Sequence, residues 1–497
     1  MEEQRQHRFT GKIKTDRAYL TEIFSDCSDM KMKDMKIGKD KEISCFLVYI
    51  EITMSSIMFR TTAIGNFLVR LSDMDAGEIH EALAENALGL SDMTLYETAE
   101  EAAQGVLTGD AVFLVDGFDR AFKIPDKGYP GGVVKDVESE KVTRGSNEGF
   151  TDNIKINTAL MRKRLQTPDL KIEQMQLGVR TNTLVNLIYM KGIVRPELLR
   201  EIKKRLKDFE VDGILESGMV EQLTEEQWLS PFPQVQTTRR PDRAVMAVLE
   251  GKTVILVNNT PIGLILPADY NSFIRTTDDY YNRAEIASFS RLIRYIASFL
   301  AMSLPGLYLA VTNFHTQILP TTLLLSFAAN RQGVPFPAVV EVLLMELSFE
   351  LLREAGVRLP GTLGNTIGIV GGLIIGQAAV DANIVSPIVV IVVAFTALCS
   401  FSIPNDDFAS AFRLLKFAVI AMSAWLGFYG FLLAMLAILI HLSQLKSYGM
   451  PYLLPFVGAE LNDYQDERDS LVRFPLFALK RRPINARKPQ RIRFRRK

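Results

Sequence analysis

The sequence predicts an α/β soluble region of two tandem duplicated modules, followed by an all-α polytopic membrane domain. Three observations carry that prediction: charge is segregated along the chain, two stretches repeat at near-constant spacing, and the second half holds long apolar runs. The 497 residues include 57 Lys+Arg against 57 Asp+Glu, so net charge points to no polyanionic partner. Most charged residues lie before position 295 or after 440, which reads as a soluble part joined to a membrane part.

The duplication is read from aligned stretches. VLTGDAVFLVDGFDRAFKIP (106–125) aligns without a gap to VLEGKTVILVNNTPIGLILP (248–267). DMKMKDMKIGKDKEISCFLVYIE (29–51) aligns similarly with DLKIEQMQLGVRTNTLVNLIYMK (169–191), sharing Asp29/Asp169, Gly38/Gly178 and Tyr49/Tyr189. Each copy predicts an apolar strand ending at the tyrosine, then a helix, clearest at 195–209, then a hairpin. In the hairpins Asp116-Gly117 and Asn258-Asn259 supply residues that tolerate the positive φ of a tight turn. Two copies are too few for a solenoid. The expected domains are module 1 (1–143), module 2 (144–275), a membrane domain of about 4–6 helices (276–445) and a basic cytoplasmic tail (446–497), with a Gly- and charge-rich linker over 127–150.

The N-terminus lacks an apolar run of the secretory kind, and Cys27, Cys45 and Cys399 are too scattered for a disulfide framework, so a cytoplasmic soluble half in a reducing compartment is expected. Residues 295–314, 384–402 and 417–440 read as membrane spans; 334–352 carries three glutamates, 366–380 is short, and 318–330 is shorter still. Five spans suit the loop charges but send the C-terminus outside. Residues 480–497 hold ten basic and no acidic residues, which favours a cytoplasmic tail through a sixth or a re-entrant segment. Contact with anionic lipid headgroups or a topological role accounts for this tail without nucleic acid as a partner.

Gly364, Gly368, Gly372 and Gly376 form a stripe suited either to close helix packing or to a helix around an oligomer axis or pore, with Gln377 near the lumen. Glu346, Glu350 and Arg353 share one helix face within roughly 60°, and Glu341 points away. Carboxylates at membrane depth face a bundle interior or an ion path; the alternative is an interfacial helix in which Glu346 or Glu350 pairs with Arg353 or Arg358. No GxSxG, phosphate loop, GxGxxG, HExxH or metal-ligand spacing occurs, so the sequence supports no enzyme, metal or cofactor. His315 and His441 end apolar runs and read as interfacial.

Several stretches resemble, in matching order, the A subunit of the GerA family of spore germinant receptors. They are RGSNEGFTDNIKINTALMRKRL (144–165), RRPDRAVMAVLEGKTVILVNNTP (239–261), DDYYNR (278–283), VPFPAVVEVLLMELSFELLREAGVRLP (334–360), IGIVGGLIIGQAAVDANIVSP (367–387) and HLSQLKSYGMPYLLP (441–455). The first 140 residues match more loosely. Stage V sporulation AF proteins share the fold, but REAGVRLP and AAVDANIVSP look more like a receptor subunit; SIPNDDF (402–408) departs from the family in lacking an aromatic after Pro-Asn. The resemblance implies an inner spore membrane protein acting with a transporter-like B subunit and a lipoprotein C subunit. It further implies homo-oligomers that form a nutrient-gated ion channel, with the nutrient recognised mainly by the B subunit. A non-conducting scaffold that relays the signal is the alternative; a secondary transporter is disfavoured because the spans show no inverted repeat.

Overall fold

The computed structural model describes residues 7–40, 43–51, 69, 71, 73–75, 77–79, 81, 95–124, 140, 142–358, 363–458 and 466–492. The chain divides into two compact units. One comprises Met1–Glu225, Val235–Pro267 and Lys480–Lys497, and the other Glu226–Gln234 and Ala268–Leu479. Two segments thus fall elsewhere than the sequence boundaries place them: 226–234 leaves the second module for the helical unit, and 480–497 leaves the region after the helices for the α/β unit.

The α/β unit shows the duplication directly. Module 1 contains α1 (Ile13–Ile23), β1 (Met30–Ile37), β2 (Ile43–Ile50), β3 (Leu95–Tyr96), α2 (Ala99–Leu107), β4 (Ala111–Val115) and β5 (Ala121–Ile124), in a sheet of order β1-β2-β4-β5-β3. Module 2 contains α3 (Ile154–Arg164), β6 (Leu170–Leu177), β7 (Thr183–Met190), α4 (Pro196–Arg205), α5 (Ser217–Thr224), β8 (Gln236–Thr238), α6 (Pro241–Leu249), β9 (Thr253–Val257) and β10 (Gly263–Leu266), in the equivalent order β6-β7-β9-β10-β8. All pairings within the two sheets are antiparallel. The helix expected after Tyr49 and most of the linker expected at 127–150 lie outside the described residues.

Equivalent residues do equivalent work in the two copies. The hairpin-turn residue Asp116 accepts from the N–H of Ile13 at 3.1 Å, and Asn258 accepts from that of Ile154 at 3.2 Å, so each turn also caps its module's first helix. Asp16 accepts from the N–H of Thr10 at 3.1 Å, as Asn157 does from that of Thr151 at 2.7 Å. The central strands β2, β4, β7 and β9 are apolar on both faces. Alternate residues of β2 and β4 feed two cores, Cys45, Leu47 and Phe113 on one side and Phe46, Val48 and Leu114 on the other. Burial pushes the Cys45 thiol up to about 12, so it stays protonated at neutral pH.

The C-terminal segment closes back on module 2. Ala486 bridges Val194, the N–H of Arg487 donates to the Ile193 carbonyl at 2.8 Å, and Arg482 Nε donates to the Leu249 carbonyl at 2.9 Å. Gly251, at φ +89°, makes room for this segment: a Cβ there would meet Ala486 Cα at 2.8 Å.

The helical unit contains α7 (Tyr270–Ile274), α8 (Asp278–Tyr281), α9 (Ala284–Phe314), α10 (Thr321–Asn330), α11 (Ala338–Arg358), α12 (Leu363–Asp381), α13 (Pro387–Phe401) and α14 (Asp406–Gln444), then the short strands β11 (Lys446–Ser447) and β12 (Met450–Pro451). Helices α9 and α14 are long and apolar enough to cross a membrane. The sequence reads 417–440 as one span, but the structure differs: α14 is broken at Gly427, with φ +60° and ψ −138°. A continuous helix would separate residues 412 and 441 by about 43 Å. Both rings instead pack on Phe232, with centroids at 5.6 and 6.2 Å. Helix α14 is therefore a hairpin with arms over 406–426 and 428–444.

Side-chain register gives the direction of every long helix. Gly306 of α9 abuts Val419 and Ser423, and Phe314 abuts Gly427, so the first arm runs parallel to α9. Helix α11 runs against that arm, since Glu350 pairs with Arg413 and Arg353 with Asp406. Gly372 of α12 meets Phe349, and Gly376 meets Val390 of α13. Helices α9, α11, α12, α13 and the two arms thus make successive passes of alternating direction. The sixth pass is the second arm of α14, while 318–330, weighed above as a sixth span, holds only the ten-residue α10.

At the start of α9, Arg291 is fully buried: its Nε lies 3.2 Å from Asp279 and its Nη1 2.9 Å from Asp469. Burial alone would raise the Asp469 carboxyl, but Arg275, Arg291 and the Tyr280 hydroxyl outweigh it and hold its pKa below the ordinary value. A depressed folded pKa contributes stability above the unfolded value of about 3.9, which is lost as pH falls through the folded value. Acid melts should therefore show wild type losing more stability than Asp469→Asn from about pH 4 downward. Gly427→Val should lower stability by about 1–3 kcal/mol, because its φ is left-handed and a Cβ would meet Phe314 Cγ at 2.7 Å. Thermal unfolding in detergent measures the loss, and a short bismaleimide joining Phe412→Cys to His441→Cys reports whether the hairpin persists.

Candidate functional site

Two arrangements concentrate the charge that apolar surroundings make expensive. The first joins the α/β modules. Arg162 of α3 is fully buried and donates from Nε and Nη2 to both carboxylate oxygens of Asp29 at 2.9 and 3.0 Å, its other donors reaching the Thr167 and Leu170 carbonyls. Lys171 donates to the Ser25 carbonyl at 2.6 Å, while across the junction the Ser28 N–H donates to the Ile172 carbonyl and the Ile172 N–H to the Asp26 carbonyl, both at 2.9 Å. Beside it lies a cleft lined by Ser28, Asp29, Glu51, Lys155, Gln174 and Asn186, with about 20 Å³ of free volume. That space holds about one water.

The second arrangement is a ladder of ion pairs between α11 and the first arm of α14. Glu346, 2% exposed, pairs with Lys416, 4% exposed. One turn along, Glu350 accepts from Arg413 at 3.2 Å and lies 3.6 Å from Lys416; beyond it Arg353 lies 3.9 Å from Asp406 and over the Phe401 ring. At the opposite end Glu341 accepts from Arg331 at 3.2 Å and from the Ser386 N–H at 2.8 Å. The shared face of Glu346 and Glu350 is as the sequence indicates, but their partners are Lys416 and Arg413 rather than Arg353 or Arg358. Sequence reasoning missed these partners because they lie 63 and 70 positions away on another helix. The available signal was the pairing of two acids in one apolar run with two bases in another.

Among the predicted stripe residues, a Cβ added at Gly372 would meet Phe349 Cε1 at 3.2 Å and one at Gly376 would meet Val390 Cγ1 at 3.1 Å, so both glycines pack inside this chain. Gly364 and Gly368 lie on the same helix, α12. Gln377 is exposed and donates to Asp381 at 2.9 Å. The structure thus brings Glu346 and Glu350 together and leaves Gln377 on a different helix surface.

A duplicated antiparallel α/β region joined to an apolar, internally ion-paired helical unit defines a two-part chain built around long apolar helices. The model of the Bacillus/Clostridium GerA spore germination protein family matches residues 18–485. The chain belongs to that family. Among its relatives, spore germination protein KA of Bacillus subtilis (strain 168) is 37% identical over 94% of this chain and 85% of its own length. Spore germination protein B1 of the same organism is 40% identical over 81% of this chain and 85% of its own length. A protein named uncharacterized membrane protein YfkQ, again of that organism, is 36% identical over 97% and 93%. The crystal structure of the N-terminal domain of the A subunit of the Bacillus megaterium spore germinant receptor GerK3 aligns with a TM-score of 0.40 and 30% identity, covering 53% of this chain and 98% of that one.

The ladder makes a stability prediction. Lys416→Met leaves Glu346 buried without its counter-charge and should cost about 3–5 kcal/mol, whereas Lys416→Met with Glu346→Leu should recover most of it. Denaturant melts of the purified chain in detergent measure both; equal losses in the single and double variants would mean the pair contributes only shape.

Proposed function

We propose that this chain is the A subunit of a nutrient germinant receptor in the inner spore membrane. It acts with a transporter-like B subunit and a lipoprotein C subunit, and copies of it assemble into a nutrient-gated ion channel that triggers germination. The family relation over residues 18–485 supports the receptor role. The observation that supports the channel is the exposed polar pair Gln377 and Asp381 on the last turn of α12. Polar groups facing lipid are costly, so a water path or a neighbouring copy covers that surface. On this reading Glu346, held by Lys416, fastens α11 to α14, and the partly exposed Glu350 is the carboxylate nearer the ion path.

The six helical passes are read as six membrane crossings. This reading puts both ends of the helical unit on one side of the bilayer, and the membership of 480–497 in the α/β unit supports it. The modules and the basic tail then share the cytoplasm, in accord with the tail's charge. The scaffold reading draws on a different observation. Gly372 and Gly376 are occupied by helices of their own chain, and so are already used without a symmetric axis.

Cation flux across the membrane of a non-sporulating host separates the readings. Flux should require the B and C subunits together with nutrient, and Gln377→Leu should reduce it while the complex still assembles. No flux despite verified assembly would leave the scaffold.

A further inference from the structure

Residues 226–234 interrupt the sequence of module 2 yet belong to the helical unit. They form a closed loop. Gln234, 1% exposed, ties its neck: its Oε1 accepts from the Glu226 N–H at 3.0 Å and its Nε2 donates to the Gln227 carbonyl at 3.0 Å. Both ends of the loop are fastened to the turn that follows α14. The Gly449 N–H donates to Glu226 Oε1 at 2.9 Å, and the Ser447 hydroxyl donates to the Gln234 carbonyl at 2.7 Å. The middle of the loop reaches back along the helix, where Ser230 Oγ lies 2.9 Å from His441 Nε2 and Phe232 packs among Phe408, Phe412 and Tyr452.

That geometry aims the loop from beyond the end of α14 toward its apolar body. At its tip stand Trp228 and Leu229, 79% and 77% exposed. Two residues of chain span at most about 7 Å, so Trp228 stays within that distance of Ser230, which is level with the last residues of the apolar run. A headgroup layer is about 5–8 Å thick on each side of the hydrocarbon, and tryptophan concentrates there because its ring is apolar and its N–H is wet.

We propose that the 226–234 loop is a membrane-interface anchor, with Trp228 and Leu229 seated in the headgroup layer of the bilayer that holds α9 and α14. The inference rests on the membrane reading of the helical unit. It gives a loop inserted in the module 2 sequence a lipid contact separate from that of the long helices.

The chain has two tryptophans, Trp228 and Trp425, and Trp425 is 76% exposed beside the tip of the α14 hairpin. The full chain is reconstituted in phosphatidylcholine and phosphatidylglycerol vesicles whose acyl chains carry bromine close to the headgroup. With Trp425→Phe, Trp228 alone emits: its fluorescence should fall relative to unbrominated vesicles and resist aqueous acrylamide. With Trp228→Phe, the fluorescence of Trp425 should fall as well. Quenching of Trp425 but not of Trp228 overturns the anchor while the helical unit remains embedded. Quenching of neither overturns the membrane reading and the anchor with it. Trp228 shielded from both bromine and acrylamide means that protein covers the tip, which also overturns it.

Discussion

The return of residues 480–492 to module 2 constrains everything between Pro267 and Lys480. A backbone bridge at Val194 and Ala486 cannot form unless the chain comes back to where it left. The helical unit answers with passes of alternating direction, and the last is made by turning α14 at one glycine rather than by adding a helix. A residue in the left-handed region with no room for a Cβ beside Phe314 decides the parity of the whole unit.

The charges buried among these helices follow one logic. An isolated carboxylate or ammonium in apolar surroundings is expensive, and Glu346 and Arg291 each meet an opposite charge. The Asp29 and Arg162 fork, the Arg291 and Asp469 contact and the Glu346 and Lys416 pair each join segments distant in sequence. Such pairs add little net stability over apolar packing, but breaking one partner is costly. Their effect is to fix which surfaces meet.

The duplication was legible because a repeated strand, turn and proline leave the same letters at a fixed spacing; the two sheets bear it out strand for strand. Asp116 and Asn258 were readable as turn residues, but not as caps of α1 and α3, since a cap across about 100 residues leaves no local pattern. The glutamates of α11 were readable as a shared face from the 3.6-residue period, while their partners were hidden, because periodicity reports which way a side chain points and not what lies opposite. Gly427 was invisible for a related reason: an apolar run of ordinary span length looks the same whether it continues or folds back.

The ladder also bears on the order of synthesis. Lys416 leaves the ribosome 70 residues after Glu346, a delay of roughly 4–14 s at common elongation rates. On the six-crossing reading, α11 enters the bilayer region with a carboxylate whose counter-charge does not yet exist. On that reading α11 is fastened only when α14, made later, delivers the cation of Lys416.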